Sequence, residues 1–111
     1  MEQTVNISIP EMVKGVVDSI DNRAKVILFG SRARGDYRRD SDWDFLIIMP
    51  YKVSDTLEDR IRNLLYEVEL KTDEVITSIV ENEQNWTIQE ETPFYKNIRR
   101  EGLEIQKPVK K

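Results

Sequence analysis

The chain has 111 residues, 39% of them hydrophobic and 34% charged, and we expect one cytoplasmic globular domain over residues 1–111 with a flexible tail at 107–111. Cysteine and histidine are both absent, which excludes a disulfide framework, a thiolate nucleophile and a histidine base, so any chemistry must use carboxylates, hydroxyls, cations and a hard metal. The net charge of −4 argues against sequence-specific or general nucleic-acid binding. We expect neither a membrane span nor a signal peptide, because no sufficiently long apolar run occurs.

The first half of the chain is predicted to contain one helix and two strands. The helix covers about Pro10–Asn22, because Pro10 suits a first helical position and apolar residues recur every three or four positions. The first strand covers about Lys25–Phe29 and the second about Trp43–Met49, before Pro50. The apolar runs in both strands do not alternate with polar residues, which is typical of strands covered on both faces.

The second half is predicted to contain two helices and one strand. A long helix covers about Asp55–Lys71, and a third strand follows at about Glu74–Val80. After the polar stretch Glu81–Glu91, which has room for a helical turn, the last helix covers Thr92–Gly102. This order predicts an α/β (α+β) fold, a small mixed sheet with helices packed against it. The large aromatic residues are interpreted as core residues rather than base-stacking platforms: Trp43, Phe45, Trp86 and Phe94.

The turn after the first strand and the start of the second strand carry the residues best suited to chemistry. The apolar run ends at Gly30 and Ser31, where the missing Cβ of glycine lets the backbone approach a ligand closely. Asp42 and Asp44 are two residues apart on a strand, so their side chains point to the same face. Two carboxylates about 6 Å apart repel by about 3 kcal/mol at an effective dielectric constant near 20. The pair therefore indicates a site for Mg²⁺ shared with a phosphate.

Three better-known motifs do not fit this stretch. The segment Gly30–Gly35 has the outer glycine spacing of a P-loop, but Asp36 and Tyr37 stand where lysine and serine or threonine are required. The alternating aspartates before the second strand resemble the first ligands of an EF-hand, which then requires glycine at the position of Phe45 and glutamate at that of Tyr51. The pattern G-x-G-x-x-G is absent.

The remaining pattern is GSRARG from Gly30 followed by SDWDF from Ser41. It resembles the pattern of the antitoxin-type minimal nucleotidyltransferases of the DNA polymerase β-like superfamily, GSxARG and then SDxDL. The two halves together are much more specific than either alone. The resemblance implies a palm-like core in which the glycine–serine turn and the following helix start hold the phosphates of a nucleotide. It also implies that Asp42 and Asp44 bind Mg²⁺ or Mn²⁺ and are catalytic.

The same resemblance assigns the nucleotide-binding residues. Gly30 and Ser31 are predicted to present backbone amides and a hydroxyl to the β- and γ-phosphates. Arg32 and Arg34 are candidate phosphate ligands, with a structural ion pair or a solvated charge as the alternative reading of each. Gly35 is interpreted as a turn residue.

The family pattern adds a third acidic residue on a neighbouring strand, which completes a two-metal site and accepts the proton of the attacking hydroxyl. By analogy this position falls near Thr77, which is not acidic. Asp73 is the best substitute, because we expect it at the beginning of the same strand and on the same face. It is therefore the third predicted catalytic residue.

The resulting hypothesis is a Mg²⁺-dependent transferase that moves AMP from ATP to a hydroxyl acceptor and releases pyrophosphate. Small members of the group it resembles pair with an all-helical HEPN-type protein in toxin–antitoxin-like operons, so such a protein is the expected partner and acceptor. Two alternatives stay open. One is a nucleotide- or partner-binding module without turnover, and the other is an aminoglycoside-type enzyme, which is less favoured because no second domain supplies an acceptor pocket.

Overall fold

The computed structural model describes residues 8–106 and contains helices and strands in the predicted alternation. The elements in chain order are α1 (Ile9–Ile20), β1 (Lys25–Phe29), α2 (Ser31–Arg34), β2 (Trp43–Met49), α3 (Asp55–Thr72), β3 (Ile76–Asn82), α4 (Glu83–Ile88), α5 (Pro93–Glu101) and β4 (Leu103–Glu104). The bounds of β1 and β2 are those predicted, and the short helix α2 begins directly after Gly30, as the resemblance implied, whereas β4 was not predicted. The tail predicted at 107–111 lies outside the described residues.

The strands form one four-stranded mixed sheet in the order β3-β2-β1-β4. β1 pairs antiparallel with β2 and with β4, whereas β2 pairs parallel with β3. The parallel pair requires a crossover connection, and α3 provides it. The mixed sheet with packed helices confirms the predicted α/β (α+β) class.

Two helices cover one face of the sheet. Ser8 caps the first of them, α1, in a capping box with Glu11, and Pro10 lies within its first turn. α1 and α3 then pack on the apolar residues that β1 and β2 present to this side. The fully buried side chains of this core include Val13, Val17, Val26, Phe45, Ile47, Met49 and Ile61.

The opposite face is covered by the shorter helices α4 and α5. Trp86 of α4 and Tyr95 and Ile98 of α5 pack on Leu46 and Ile48 of β2. β2 is therefore buried on both faces, as its apolar run without alternation predicted. Because strand side chains alternate, the face that carries Leu46 and Ile48 also carries the aspartates at the start of β2.

Two predictions about the second half were wrong. β3 begins at Ile76 rather than near Glu74, because α3 continues to Thr72 and Asp73 forms its C-cap in a left-handed conformation with φ of 58°. Phe94 is 50% exposed rather than a core residue, because α5 turns Tyr95 and Ile98 inward instead.

No helix within residues 8–106 combines the length and the apolar character that a membrane crossing requires.

Candidate active site

Asp44 lies at the centre of the candidate site, near the start of the central strand. Its register partners are Phe29, the last residue of β1, and Thr77 on β3. Residues in register on neighbouring strands share a face, so these three side chains lie side by side on the face covered by α4 and α5. Thr77 is exposed, which leaves the β3 side of the site open.

The turn between β1 and α2 contacts the carboxylate of Asp44 directly. Gly30 has a φ of 78° and a ψ of −159°, a conformation that residues with a Cβ rarely adopt. A Cβ at this position would collide with Oδ2 of Asp44 and lie 3.3 Å from its Cγ. Glycine is therefore required here both by backbone conformation and by the proximity of the carboxylate.

The carboxylate of Asp44 is partly buried near the negative charge of Asp42. Burial raises the pKa of Asp44, the negative charge of Asp42 raises it further, and the cation of Arg34 opposes both effects. The ionised pair is thus unfavourable on its own in the folded protein. A hard divalent cation would relieve that repulsion, and carboxylate oxygens are its preferred ligands, so the donor set fits Mg²⁺.

Arg32 was a candidate phosphate ligand, but the structure places it in a structural role. Its side chain is only 8% exposed, and its guanidinium lies 4.4 Å from the ring centroid of Tyr37 and 4.3 Å from that of Trp43. It also donates to the carbonyl oxygen of Ser41 at 3.1 Å and pairs with Glu74 at 3.6 Å. Its donors are thus used to fasten the loop before β2 to the sheet, which favours the alternative interpretation of Arg32 as a structural ion-pair residue.

Arg34 remains accessible at the edge of the site. Its side chain is 43% exposed, and it pairs with Asp36 at 3.3 Å and with Glu101 of α5 at 3.6 Å. The hydrogen bond to Asp36 is the main cause of the raised pKa of this guanidinium, with Glu101 adding to it. Both ion pairs are exposed to solvent at least in part, so each contributes little free energy. A phosphate can therefore replace either carboxylate as the partner of Arg34 at small cost.

The third predicted catalytic residue, Asp73, does not lie where the prediction required. It is exposed at the end of α3, before β3 begins. Within residues 8–106 no group of three acidic, histidine or cysteine side chains converges on a common metal position. Thr77 is the β3 residue beside Asp44, at the position that the family pattern implied for the third acidic residue, and it offers a hydroxyl in place of a carboxylate.

A cavity of about 210 Å³ adjoins the turn on the α5 side, and sequence reasoning missed it. Its lining consists of Phe29, Gly30, Arg34, Phe94, Asn97, Ile98 and Glu101. The ring of Phe94 meets that of Phe29 edge to face, with centroids 5.9 Å apart. The one sequence signal for this cavity wall is Phe94, an aromatic residue at the start of a short amphipathic helix. Its pairing with Phe29 could not be predicted, because the two residues are far apart in sequence.

The family model described as "Nucleotidyltransferase domain" matches residues 10–104. A Methanocaldococcus jannaschii protein named "Putative protein adenylyltransferase" is 38% identical over 96 residues, 86% of this chain and 91% of that protein. A second protein of that organism and name is 34% identical over 85 residues, 77% of this chain and 81% of its own length. The chain belongs to the nucleotidyltransferase family.

Solved structures share the fold at low sequence identity. A chain in the crystal structure of a toxin–antitoxin with AMP-PNP has a TM-score of 0.61 at 12% identity, covering 91% of this chain and 75% of its own. A chain in a mutant of the toxin–antitoxin MntA-HpeT has a TM-score of 0.62 at 12% identity, covering 93% of this chain and 75% of its own. The predicted enzyme class is thus confirmed by the family, and the predicted fold by these neighbours.

The contact between Gly30 and Asp44 predicts a difference between two glycine substitutions. Gly30→Ala and Gly35→Ala both place a Cβ at positive φ, so each should destabilise the fold by about 1–3 kcal/mol of strain and lower the thermal midpoint Tm. A Cβ at Gly35 meets no atom within 4 Å, so only Gly30→Ala displaces the carboxylate. We expect Mg²⁺ with ATP to raise the Tm of the parent and of Gly35→Ala, but not that of Gly30→Ala. Thermal melts with and without ligand measure both, and an equal ligand response would refute the contact.

The raised pKa of Asp44 predicts that removing its charge stabilises the metal-free protein. The folded state binds this proton more tightly than the unfolded chain, so the ionised carboxylate weakens the fold as pH rises through the carboxyl range. Asp44→Asn should therefore raise Tm by about 2–4 °C in EDTA at pH 7.5 and by less at pH 5. Asp40→Asn, on the exposed loop before β2, is the control. A lower Tm of Asp44→Asn at pH 7.5 would mean that favourable contacts hold the carboxylate.

The position of Asp73 predicts that this residue acts on the helix end and not on the chemistry. Asp73→Gly replaces a residue at φ 58° by the one that adopts this conformation without strain. It should stabilise the protein by about 0.5–1 kcal/mol, seen as a rise of Tm. Its nucleotidyl transfer rate should equal that of the parent. A tenfold or larger loss of transfer in Asp73→Gly, with Tm unchanged or raised, would restore the original catalytic assignment.

Proposed function

We propose that this protein is a Mg²⁺- or Mn²⁺-dependent adenylyltransferase that moves AMP from ATP to a hydroxyl group on a partner protein. The observation that supports this most directly is the contact of the Gly30 turn with Asp44, since it joins a place for phosphates to a pair of metal-binding carboxylates. The name shared by the two curated relatives favours AMP as the transferred group and a protein as the acceptor.

The residues around the turn can bind the triphosphate. Backbone amides after Gly30 and the hydroxyl of Ser31 would donate to the β- and γ-phosphates, and Arg34 would exchange an exposed ion pair for a phosphate oxygen. Asp42 and Asp44 would hold the metal ion, which supplies charge neutralisation for the leaving pyrophosphate.

The order of the strands indicates the direction of attack. Displacement at phosphorus proceeds in line, so the attacking hydroxyl and the leaving pyrophosphate lie on opposite sides of the α-phosphorus. Across the sheet, the turn ends β1, Asp44 lies on β2 and Thr77 lies on β3. With pyrophosphate at the turn, the acceptor hydroxyl would approach from the side of Thr77.

The partner we propose is an all-helical HEPN-type protein in a toxin–antitoxin-like pair, in which this chain modifies or masks the helical protein. The fold neighbours support a partner of this general kind, because they come from structures of toxin–antitoxin proteins, one of them with AMP-PNP. A protein hydroxyl on such a partner fits the open β3 side of the site better than a small aminoglycoside-type acceptor, which would need a pocket there.

A second candidate function rests on Thr77. Its hydroxyl is no metal ligand of carboxylate strength and no base at neutral pH, and general-base assistance typically contributes about 10²–10⁴-fold to a rate. Without that assistance the chain would bind nucleotide and partner but turn over slowly or not at all. This binding module is distinguished from the enzyme by direct measurement of transfer.

The test is transfer of AMP from α-labelled ATP, with Mg²⁺, to an all-helical HEPN-type protein supplied as the candidate acceptor. We expect slow labelling by the parent, none by the Asp42→Asn, Asp44→Asn double variant, and at least tenfold faster labelling by Thr77→Asp. Thr56→Asp, on the exposed side of α3, is the matched control and should label like the parent.

Each other outcome has a distinct meaning. Calorimetric binding of Mg²⁺–ATP without transfer by either the parent or Thr77→Asp would select the binding module. Absence of any Mg²⁺-dependent ATP binding by the folded parent would overturn the site assignment itself.

A further inference from the structure

We propose that the cavity between the glycine turn and α5 receives the nucleobase of the nucleotide, with Phe94 as its stacking surface. This inference rests on the proposed function, because it assumes that a nucleoside triphosphate lies on the turn. It adds a binding subsite that neither the GSxARG motif nor the aspartate pair contains.

The cavity adjoins the proposed phosphate site without a barrier. Gly30 lines the cavity and also contacts the carboxylate of Asp44, and Phe29 lines it as the register partner of that aspartate. Arg34 forms a third shared element, since it lines the cavity and acts electrostatically on Asp44. A ligand whose phosphates lie on the turn can therefore extend directly into this space.

The geometry of displacement excludes the acceptor from the same cavity. The leaving pyrophosphate occupies the turn on the β1 side, so the attacking group must come from the β3 side, where Thr77 is exposed. The cavity lies on the β1 side, between the turn and α5. Of the groups attached to the α-phosphorus, only the nucleoside is left to fill it.

The walls of the cavity suit a flat aromatic ring. Phe94 is 50% exposed, and its ring is perpendicular to that of Phe29, so this pairing covers at most one face of the Phe94 ring. Ile98 contributes a further apolar contact. Aromatic side chains bind nucleobases by stacking, and every base has a face that can take part.

One polar group in the wall can orient the base. The side-chain oxygen of Asn97 accepts a hydrogen bond from Arg100 at 2.9 Å, which leaves the amide hydrogens as the donors available to the cavity. A ring nitrogen of the base is the matching acceptor. The ion pair of Arg34 with Glu101, at 3.6 Å, forms the rim of the cavity beside the turn.

The experiment compares two ligands that differ in the nucleoside alone, ATP and inorganic tripolyphosphate, each with Mg²⁺. Phe94→Ala should weaken ATP binding about tenfold, the loss expected for one stacked base, and leave tripolyphosphate binding unchanged. Phe94→Trp should bind ATP at least as tightly as the parent. Leu70→Ala is the matched control and should change neither affinity. It removes a 66% exposed apolar side chain from α3, the helix that covers the other face of the sheet.

The other outcomes refute the inference in recognisable ways. Equal weakening of ATP and tripolyphosphate by Phe94→Ala would assign Phe94 to the support of the turn. Unchanged ATP affinity with lost transfer would assign the cavity to the acceptor. If the folded parent binds neither ligand, the proposed function fails before the base subsite is reached, whereas binding of tripolyphosphate with no added affinity for ATP overturns the base subsite alone.

Discussion

The rest of the site depends on the close packing of the Asp44 carboxylate against the backbone of Gly30. This contact requires a residue without Cβ at the end of β1, and it fixes where the chain can turn into α2. It also places the backbone of the turn next to the carboxylate of Asp44. In the proposed function, one backbone approach rather than separate loops would bring phosphate binding and metal binding together.

The strand that carries Asp44 is also the strand most buried in the sheet. Phe45 to Met49 are all buried, which anchors β2 between both helix layers and holds its charged start at the edge of the core. Burial next to Asp42 makes the ionised carboxylate unfavourable in the absence of a cation. The fold thus disfavours the charge of Asp44, and a bound cation would relieve that cost.

The sequence predicted the parts of this site that depend on local pattern. β1, the glycine turn, β2 and the shared face of Asp42 and Asp44 all follow from residue order, burial and the period of a strand. The role of Arg32 could not be predicted, because it is decided by contacts with Tyr37, Trp43 and Glu74 that only the folded loop brings together.

Two predictions about the second half of the chain were wrong. Asp73 is predicted at the beginning of the third strand, but in the structure it adopts a left-handed conformation and forms the C-cap of α3. Phe94 was placed in the core although α5 buries Tyr95 and Ile98 instead.

The two sides of the candidate site differ. α5 encloses the β1 side, while the edge strand β3 leaves the Thr77 side open. An enclosed side suits a small nucleotide, and an open edge admits an acceptor as large as a protein.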